Sequence, residues 1–281
     1  MAKSDRKIKM VALDLDGTAF DHSKKLSPRL RKAIREADDM GVITVIATGR
    51  PVSALPEEVF GVYGLDYAVT EDGARVISLV DRKPIYVNVI EPETAARLFD
   101  LLETTKPYTE VFIDGTAYFG QDEYDSIVRG ENTTRSVEYV TKTRTPVPDI
   151  FEFSRRHIGE LEEVVINFLD MSEKIDTVAE IKKIKGLNVT TSWHLNTEIC
   201  SDSVSKAGGI GELLTKFGVS ADELMAVGDS PNDLAMIEYA GVGVAMGNAD
   251  DIVKESADHV TKSNSEDGAA IAIEKFVLEK Y

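Results

Sequence analysis

The stretch Val42-Ile43-Thr44-Val45-Ile46-Ala47 is a continuous apolar run rich in β-branched residues, the pattern of a parallel-sheet strand buried on both faces. It stands between two other short runs, Ile8 to Leu13 and Tyr67 to Thr70. Between the first two, Ser27-Pro28 supplies an N-cap and a first-turn proline for a helix reaching Met40-Gly41, with Leu30, Ala33, Ile34 and Ala37 at helical spacing. A second helix is expected to start near Pro51. This βαβαβ order predicts α/β architecture with a doubly wound parallel, Rossmann-like sheet.

From about residue 74 the pattern changes. Short strands are expected at Ala74 to Val80, Pro84 to Val89, Val111 to Ile113, Ala117 to Phe119, Val164 to Leu169 and Leu187 to Thr191, around helices near Glu91 to Thr104 and Ser172 to Lys185. Strands without a helix between each pair indicate an α+β unit. Helix and parallel strand then resume in helix Lys206 to Phe217, strand Leu224 to Val227, helix Pro231 to Tyr239 and strand Val242 to Ala245. The expected organisation is a discontinuous core, residues 1-82 and 194-281, interrupted by an inserted α+β cap over 83-193.

The 281 residues, at about 150 per domain, accommodate roughly two such units. Ordinary glycine and proline usage excludes a collagen-like or disordered chain. A net charge of -17 argues against nucleic acid or an anionic membrane as partner, because both are densely negative. The longest apolar runs fall far short of the roughly 20 residues that span a bilayer, and no secretory apolar segment follows the basic start. The single cysteine, Cys200, cannot form an internal disulfide, so a cytoplasmic setting is expected. The four histidines lack metal-ligand spacing.

Ligands of open parallel sheets bind beyond the carboxyl ends of the strands, so the polar residues at those ends carry the functional information. Strand one ends in Asp14-Leu15-Asp16-Gly17-Thr18 and strand two in Thr48-Gly49-Arg50. The later strand ends in Gly228-Asp229-Ser230-Pro231-Asn232-Asp233, and Lys206 opens a helix. Taken singly, these are ordinary turn, cap and surface residues. Taken together they supply several acids, a hydroxyl, an amide and an amine at one sheet edge, which suits phosphoryl transfer.

Crowded carboxylates repel, and a hard divalent cation relieves them; Mg²⁺ takes oxygen ligands from one or two carboxylates, water and substrate phosphate. Asp14, Asp16 and Asp229 are the expected ligands, with Asp233 binding through water or orienting the others. Asp14, the first acid after the strand, is the expected nucleophile, forming an aspartyl phosphate. The period of two in an extended segment puts Asp16 on the same side, as the general acid and base. Thr48, Gly49 and Lys206 are expected to hold the remaining phosphate oxygens.

These motifs resemble those of the haloacid dehalogenase superfamily, in its phosphatase branch. Asp14-Leu15-Asp16-Gly17-Thr18 matches the first motif, Thr48 the second, Lys206 the third, and the segment from Gly228 to Asp233 the fourth. The insertion is similar to the C2 type B cap of the Cof-like group. The segment from Met236 to Ala249 is similar to YidA-like sugar phosphatases. The resemblance implies Mg²⁺-dependent hydrolysis of small phosphate esters, often sugar phosphates, and places Asn232 at the substrate phosphate. One departure stands out: Glu71-Asp72-Gly73-Ala74 occupies the place where relatives usually carry Asn-Gly-Ala. An acid there should repel an anionic substrate unless paired or turned away, and Arg50 is a candidate partner.

The leading expectation is therefore a phosphatase acting on a small-molecule phosphate ester. A sugar phosphomutase shares the aspartyl phosphate but returns the phosphoryl group to sugar. A phosphate-binding regulator without turnover would need no acid for a leaving alkoxide, so Asp16 beside Asp14 counts against it.

Overall fold

A computed structural model describes residues 7–132, 135–191 and 194–280. Trp193 lies outside them. Among the described residues the strands form two sheets. In chain order they are β1 (Met10–Leu13), β2 (Ile43–Ala47), β3 (Leu65–Thr70), β4 (Arg75–Ser78) and β5 (Pro84–Val87), then β6 (Tyr108–Ile113), β7 (Thr116–Gly120), β8 (Arg144–Val147), β9 (Glu163–Asn167), β10 (Leu187–Thr190) and β11 (Asn196–Ser201), and finally β12 (Leu224–Gly228), β13 (Val242–Ala245) and β14 (His259–Val260). The chain divides into two compact units, one of residues 1–49, 56–86 and 205–281, the other of 50–55 and 87–204.

The first unit is built on an eight-stranded sheet in the order β14-β13-β12-β1-β2-β3-β4-β5. Pairing is parallel from β14 to β3, and β4 returns antiparallel to β3. The apolar runs are buried because helices cover them. Helix Pro28–Asp39 starts where Ser27 Oγ accepts the Leu30 N–H at 3.1 Å, and it buries Leu30, Ala33, Ile34 and Ala37. Helix Lys206–Phe217 buries Ile210, Leu213 and Leu214 and ends at Gly218, whose left-handed φ of 64° closes it without steric cost.

Strand order fixes where a ligand can bind. From β1 the chain winds outward through β2 and β3, while β12 lies on the other side of β1 and winds through β13 and β14. The reversal falls between β1 and β12, and their register pairs Leu13 with Val227. The residues just beyond them, Asp14 and Asp229, therefore meet at the switch-point crevice.

The second unit carries a six-stranded sheet, β10-β11-β9-β6-β7-β8, antiparallel except for the parallel pair β7 and β8. Leu98, Phe99 and Leu102 of helix Pro92–Thr105 share one core with Val111, Val164, Ile166 and Ile199. The alternate residues of β6 and β9 put polar groups on the other face, including Glu110 and Asn167. Glu110 accepts from Arg135 Nε at 2.7 Å, Arg144 Nε at 2.8 Å and Asn167 Nδ2 at 2.8 Å. Burial alone would raise its pKa, but the two guanidinium groups reverse that and hold it at about 2.

Three expectations are corrected. The boundary at residue 194 moves to 204/205, because Asn196–Ser201 is a strand paired with β9 and β10. The leading limit likewise moves from 82 to 86, since β5 extends the eight-stranded sheet. The helix expected near Pro51 is replaced by two short 3₁₀ turns, Val52–Ala54 and Glu57–Val59. Pro56 between them favours an extended residue before it, which interrupts any continuous helix. Ser53 instead joins the second unit, its N–H donating to the Gly115 carbonyl at 2.8 Å and its Oγ accepting the Ala117 N–H at 3.2 Å. Cys200 is buried and, as the single cysteine, forms no internal disulfide. No helix of the described residues is long and apolar enough to cross a membrane.

Candidate active site

Asp14 is the first residue beyond β1, and its N–H still donates to the Val227 carbonyl at 2.9 Å, so the ladder to β12 sets its position. The next five residues, Leu15–Ala19, wind into a tight turn closed by Phe20 N–H on the Leu15 carbonyl at 2.8 Å. Gly17 takes φ 88°, and a Cβ there would overlap the Asp229 carboxylate. Only glycine lets the turn pass this close to the neighbouring acid. Thr18 Oγ1 then donates to Asp229 Oδ1 at 2.9 Å.

Beyond β12, Asp233 folds back over its own turn. Its Oδ2 accepts the N–H groups of Asp229 and Ser230 at 2.9 and 3.0 Å, a capping arrangement that orients the acid. A Cβ on Gly228 would come within 2.5 Å of Asp233 Cβ, which explains the glycine. Lys206, at the start of its helix and 1% exposed, bridges the two segments. Its Nζ donates to Asp14 Oδ1 at 2.8 Å and to Asp233 Oδ1 at 2.7 Å.

Charge in this crevice is unbalanced. Carboxylate oxygens of Asp14, Asp229 and Asp233 lie within 4.8 Å of one another, and Asp14 and Asp233 share the Lys206 ammonium. Burial and the negative charge of Asp233 push the Asp14 carboxyl well above its ordinary value. The same two causes move Asp229 up to about 6. Burial disfavours the Lys206 ammonium, but Asp14 and Asp233 more than compensate and keep it protonated. Such a donor set, all oxygen and short of positive charge, fits a hard divalent cation.

The phosphate-site candidates lie on neighbouring strand ends of the same unit. Thr48 follows β2 and is buried, its N–H on the Val69 carbonyl at 2.9 Å and its carbonyl accepting Asp72 N–H at 3.2 Å. Gly49 runs beside Asp72; a Cβ on it would sit 3.2 Å from the Asp72 carboxylate. Asn232 donates through Nδ2 to Asp72 Oδ1 at 3.0 Å. Asp72 is therefore not turned away. Arg50 belongs to the other unit, where its Nη1 donates to the Ala54 carbonyl at 3.0 Å.

Asp16 is the exception among the expected metal ligands. Its side chain is exposed and is not part of the carboxylate group. The two-residue alternation that put it beside Asp14 holds only in extended chain, and the turn begins at Leu15. Sequence reasoning also passed over Asn248 and Asn264. Asn248 Nδ2 donates to the Gly17 carbonyl and Asn264 Nδ2 to the Phe20 carbonyl, each at 2.9 Å, while Asn264 N–H binds Asn248 Oδ1 at 2.9 Å. They brace the Asp14 turn from the far end of the chain.

A doubly wound sheet with buried carboxylates and a lysine at its switch point could hold a cation together with an anionic ligand. The haloacid dehalogenase-like hydrolase family matches residues 11–273, and the chain belongs to that family. A 5-amino-6-(5-phospho-D-ribitylamino)uracil phosphatase of Bacillus subtilis (strain 168), YcsE, is 32% identical over 280 residues, covering 98% of each chain. A phosphoglycolate phosphatase of Methanobrevibacter smithii is 30% identical over 281 residues, covering 96% of this chain and 99% of that one. Among solved structures, a haloacid dehalogenase-like hydrolase from Bacteroides thetaiotaomicron aligns with a TM-score of 0.79 at 28% identity, over 96% of this chain and 99% of that one. The protein is an enzyme of the phosphatase type within this family, and Cof-like phosphatases are among its relatives.

Proposed function

We propose that the protein is a Mg²⁺-dependent phosphatase that hydrolyses small phosphate esters, sugar phosphates foremost, through an aspartyl phosphate on Asp14. The observation that carries this reading is the bridge from Lys206 to Asp14 and Asp233, with Asp229 alongside. Lys206 holds one oxygen of Asp14, which orients the carboxylate and leaves the other oxygen as the attacking atom. Asp14 and Asp229, with Asp233 beside them, would hold the cation. Bound there, it supplies positive charge that offsets the crowded carboxylates and the oxygens of the phosphoryl group.

In the first step the Asp14 oxygen bonds to phosphorus and the ester P–O bond breaks. Asp16, whose carboxyl lies outside the buried cluster, gives its proton to the departing alkoxide. In the second step Asp16 takes a proton from water, the resulting oxygen bonds to phosphorus, and the Asp14–phosphorus bond breaks to release phosphate. Thr48, Gly49, Asn232 and Lys206 would hold the phosphate oxygens through hydroxyl, amide and ammonium donors. A small-molecule ester suits the acidic chain better than nucleic acid, and a cytoplasmic setting suits its single buried thiol.

The test is phosphate release from a panel of sugar phosphates, nucleotides and small acid phosphates, with and without EDTA, for the native protein and Asp14→Asn. Release that vanishes with EDTA and with Asp14→Asn is expected. A hexose 1-phosphate converted to its 6-phosphate without free phosphate would show a mutase instead.

A further inference from the structure

Asp72 is a buried acid set among the groups proposed to hold phosphate, and the mechanism above gives it no task. Its backbone is left-handed at φ 50° and ψ 22°, a conformation that aspartate and asparagine tolerate better than most residues. The turn that carries it is fixed from two sides. Asp72 N–H donates to the Thr48 carbonyl at 3.2 Å, and Gly73 packs against the Ser205 carbonyl so closely that a Cβ would collide with it. The side chain is held as firmly, with Oδ1 on Asn232 Nδ2 at 3.0 Å and the carboxylate where a Cβ on Gly49 would come within 3.2 Å of it. Asp72 thus ties Thr48-Gly49 to Asn232, while Gly73 beside it holds the turn against the start of the Lys206 helix.

We propose that Asp72 is a positioning and selectivity residue of the phosphate site, which fixes the Asn232 amide and sets a negative charge against the bound phosphate. This rests on the reading of the site as a phosphatase site. A carboxylate can only accept, so the bond fixes which end of the Asn232 amide faces Asp72 and turns its carbonyl oxygen elsewhere. An asparagine at position 72 would keep the contact in either sense but carry no charge. Set beside a phosphate dianion, the Asp72 charge opposes binding of the free product, so phosphate release is favoured and product inhibition is weak.

Isothermal titration of inorganic phosphate into the full-length protein in Mg²⁺, together with KM and kcat for the best ester, tests this on Asp72→Asn and Asp72→Ala. For Asp72→Asn the expected result is phosphate binding about tenfold tighter, with KM reduced in step, the size expected for removing one like charge at short range. Asp72→Ala, which frees Asn232, should raise KM above that of Asp72→Asn. A purely structural role would lower kcat or stability without tightening phosphate, so unchanged or weaker phosphate binding by a folded Asp72→Asn overturns the inference while native hydrolysis stands. A native protein that neither binds phosphate nor hydrolyses any ester overturns the functional reading and the inference together.

Discussion

The Thr18 hydroxyl donates to Asp229 Oδ1 at 2.9 Å across 211 residues of sequence. This bond ties the turn after β1 to the turn after β12, and the fit depends on Gly17 between Asp14 and Thr18. Gly17→Ala would place a methyl group on the Asp229 carboxylate and add about 1 to 2 kcal/mol for a non-glycine residue in left-handed backbone. We expect kcat/KM to fall about a hundredfold and Mg²⁺ to bind at least tenfold more weakly, because a small misplacement at reacting groups costs that much. Metal titration followed by kinetics checks it. Native-like metal affinity in this variant would mean that Asp229 is not held in place by the turn.

Asp229 also sets a prediction about metal and stability. Its carboxyl is raised from an ordinary 3.8 to about 6, so without metal it contributes no penalty below the lower value and a growing one as pH rises to the higher. Metal-free Asp229→Asn is therefore expected to be more stable than native protein at pH 7.5, by about 1 kcal/mol. Saturating Mg²⁺ should reverse the order, since a hundredfold excess over Kd adds about 2.7 kcal/mol to the native protein alone. Thermal melts of both proteins with EDTA and with Mg²⁺ read the crossing. Equal stabilisation of both by Mg²⁺ would remove Asp229 from the ligand set.

Glu123 offers a pH test away from the site. Its Oε2 is buried without a hydrogen-bond partner among the described residues. Burial, joined by the charges of Glu110 and Asp122, lifts its carboxyl to about 8. The folded state thus keeps a proton that the unfolded chain releases near 4.5, and stability falls as pH climbs from about 4.5 to about 8. Glu123→Gln should flatten that fall and gain about 1 to 2 kcal/mol at pH 8.5. Urea unfolding across that range decides the matter; parallel pH profiles for both proteins would mean the native carboxylate is already ionised.

The core was legible because its signals are local and strong. A β-branched run such as Val42–Ala47 can scarcely be anything but a buried strand, and each such run ended in residues that the switch point then gathers. Lys206, Asp14 and Asp233 were found this way, and the structure brings them into contact. The second unit was harder to read. Its helices Gln121–Val128, Val137–Thr143 and Ile150–Arg156 span only about two turns each, too short for a 3.6-residue period to declare itself. Strand Asn196–Ser201 shows no alternation of apolar and polar residues that would announce it, yet every residue in it is buried by sheet pairing.

Side-chain placement within a motif was less legible than the motif. The spacing of Asp14 and Asp16 predicted one shared face, and a turn starting at Leu15 separated their surroundings. Nor does local sequence reveal that Asn248 and Asn264 reach the Gly17 and Phe20 carbonyls, since both contacts depend on how the last strands return to the first.

The central claim is that Asp14 carries the phosphoryl group. It is tested most directly by rapid acid quench of the Mg²⁺-loaded protein with its best ester, borohydride reduction, and mass spectrometry of the peptide containing Asp14. An acyl phosphate on Asp14 predicts conversion of that residue to homoserine, enhanced in Asp16→Asn where the second step is slowed. Turnover of the ester with Asp14 never modified, under conditions where the peptide is fully recovered, would contradict the account.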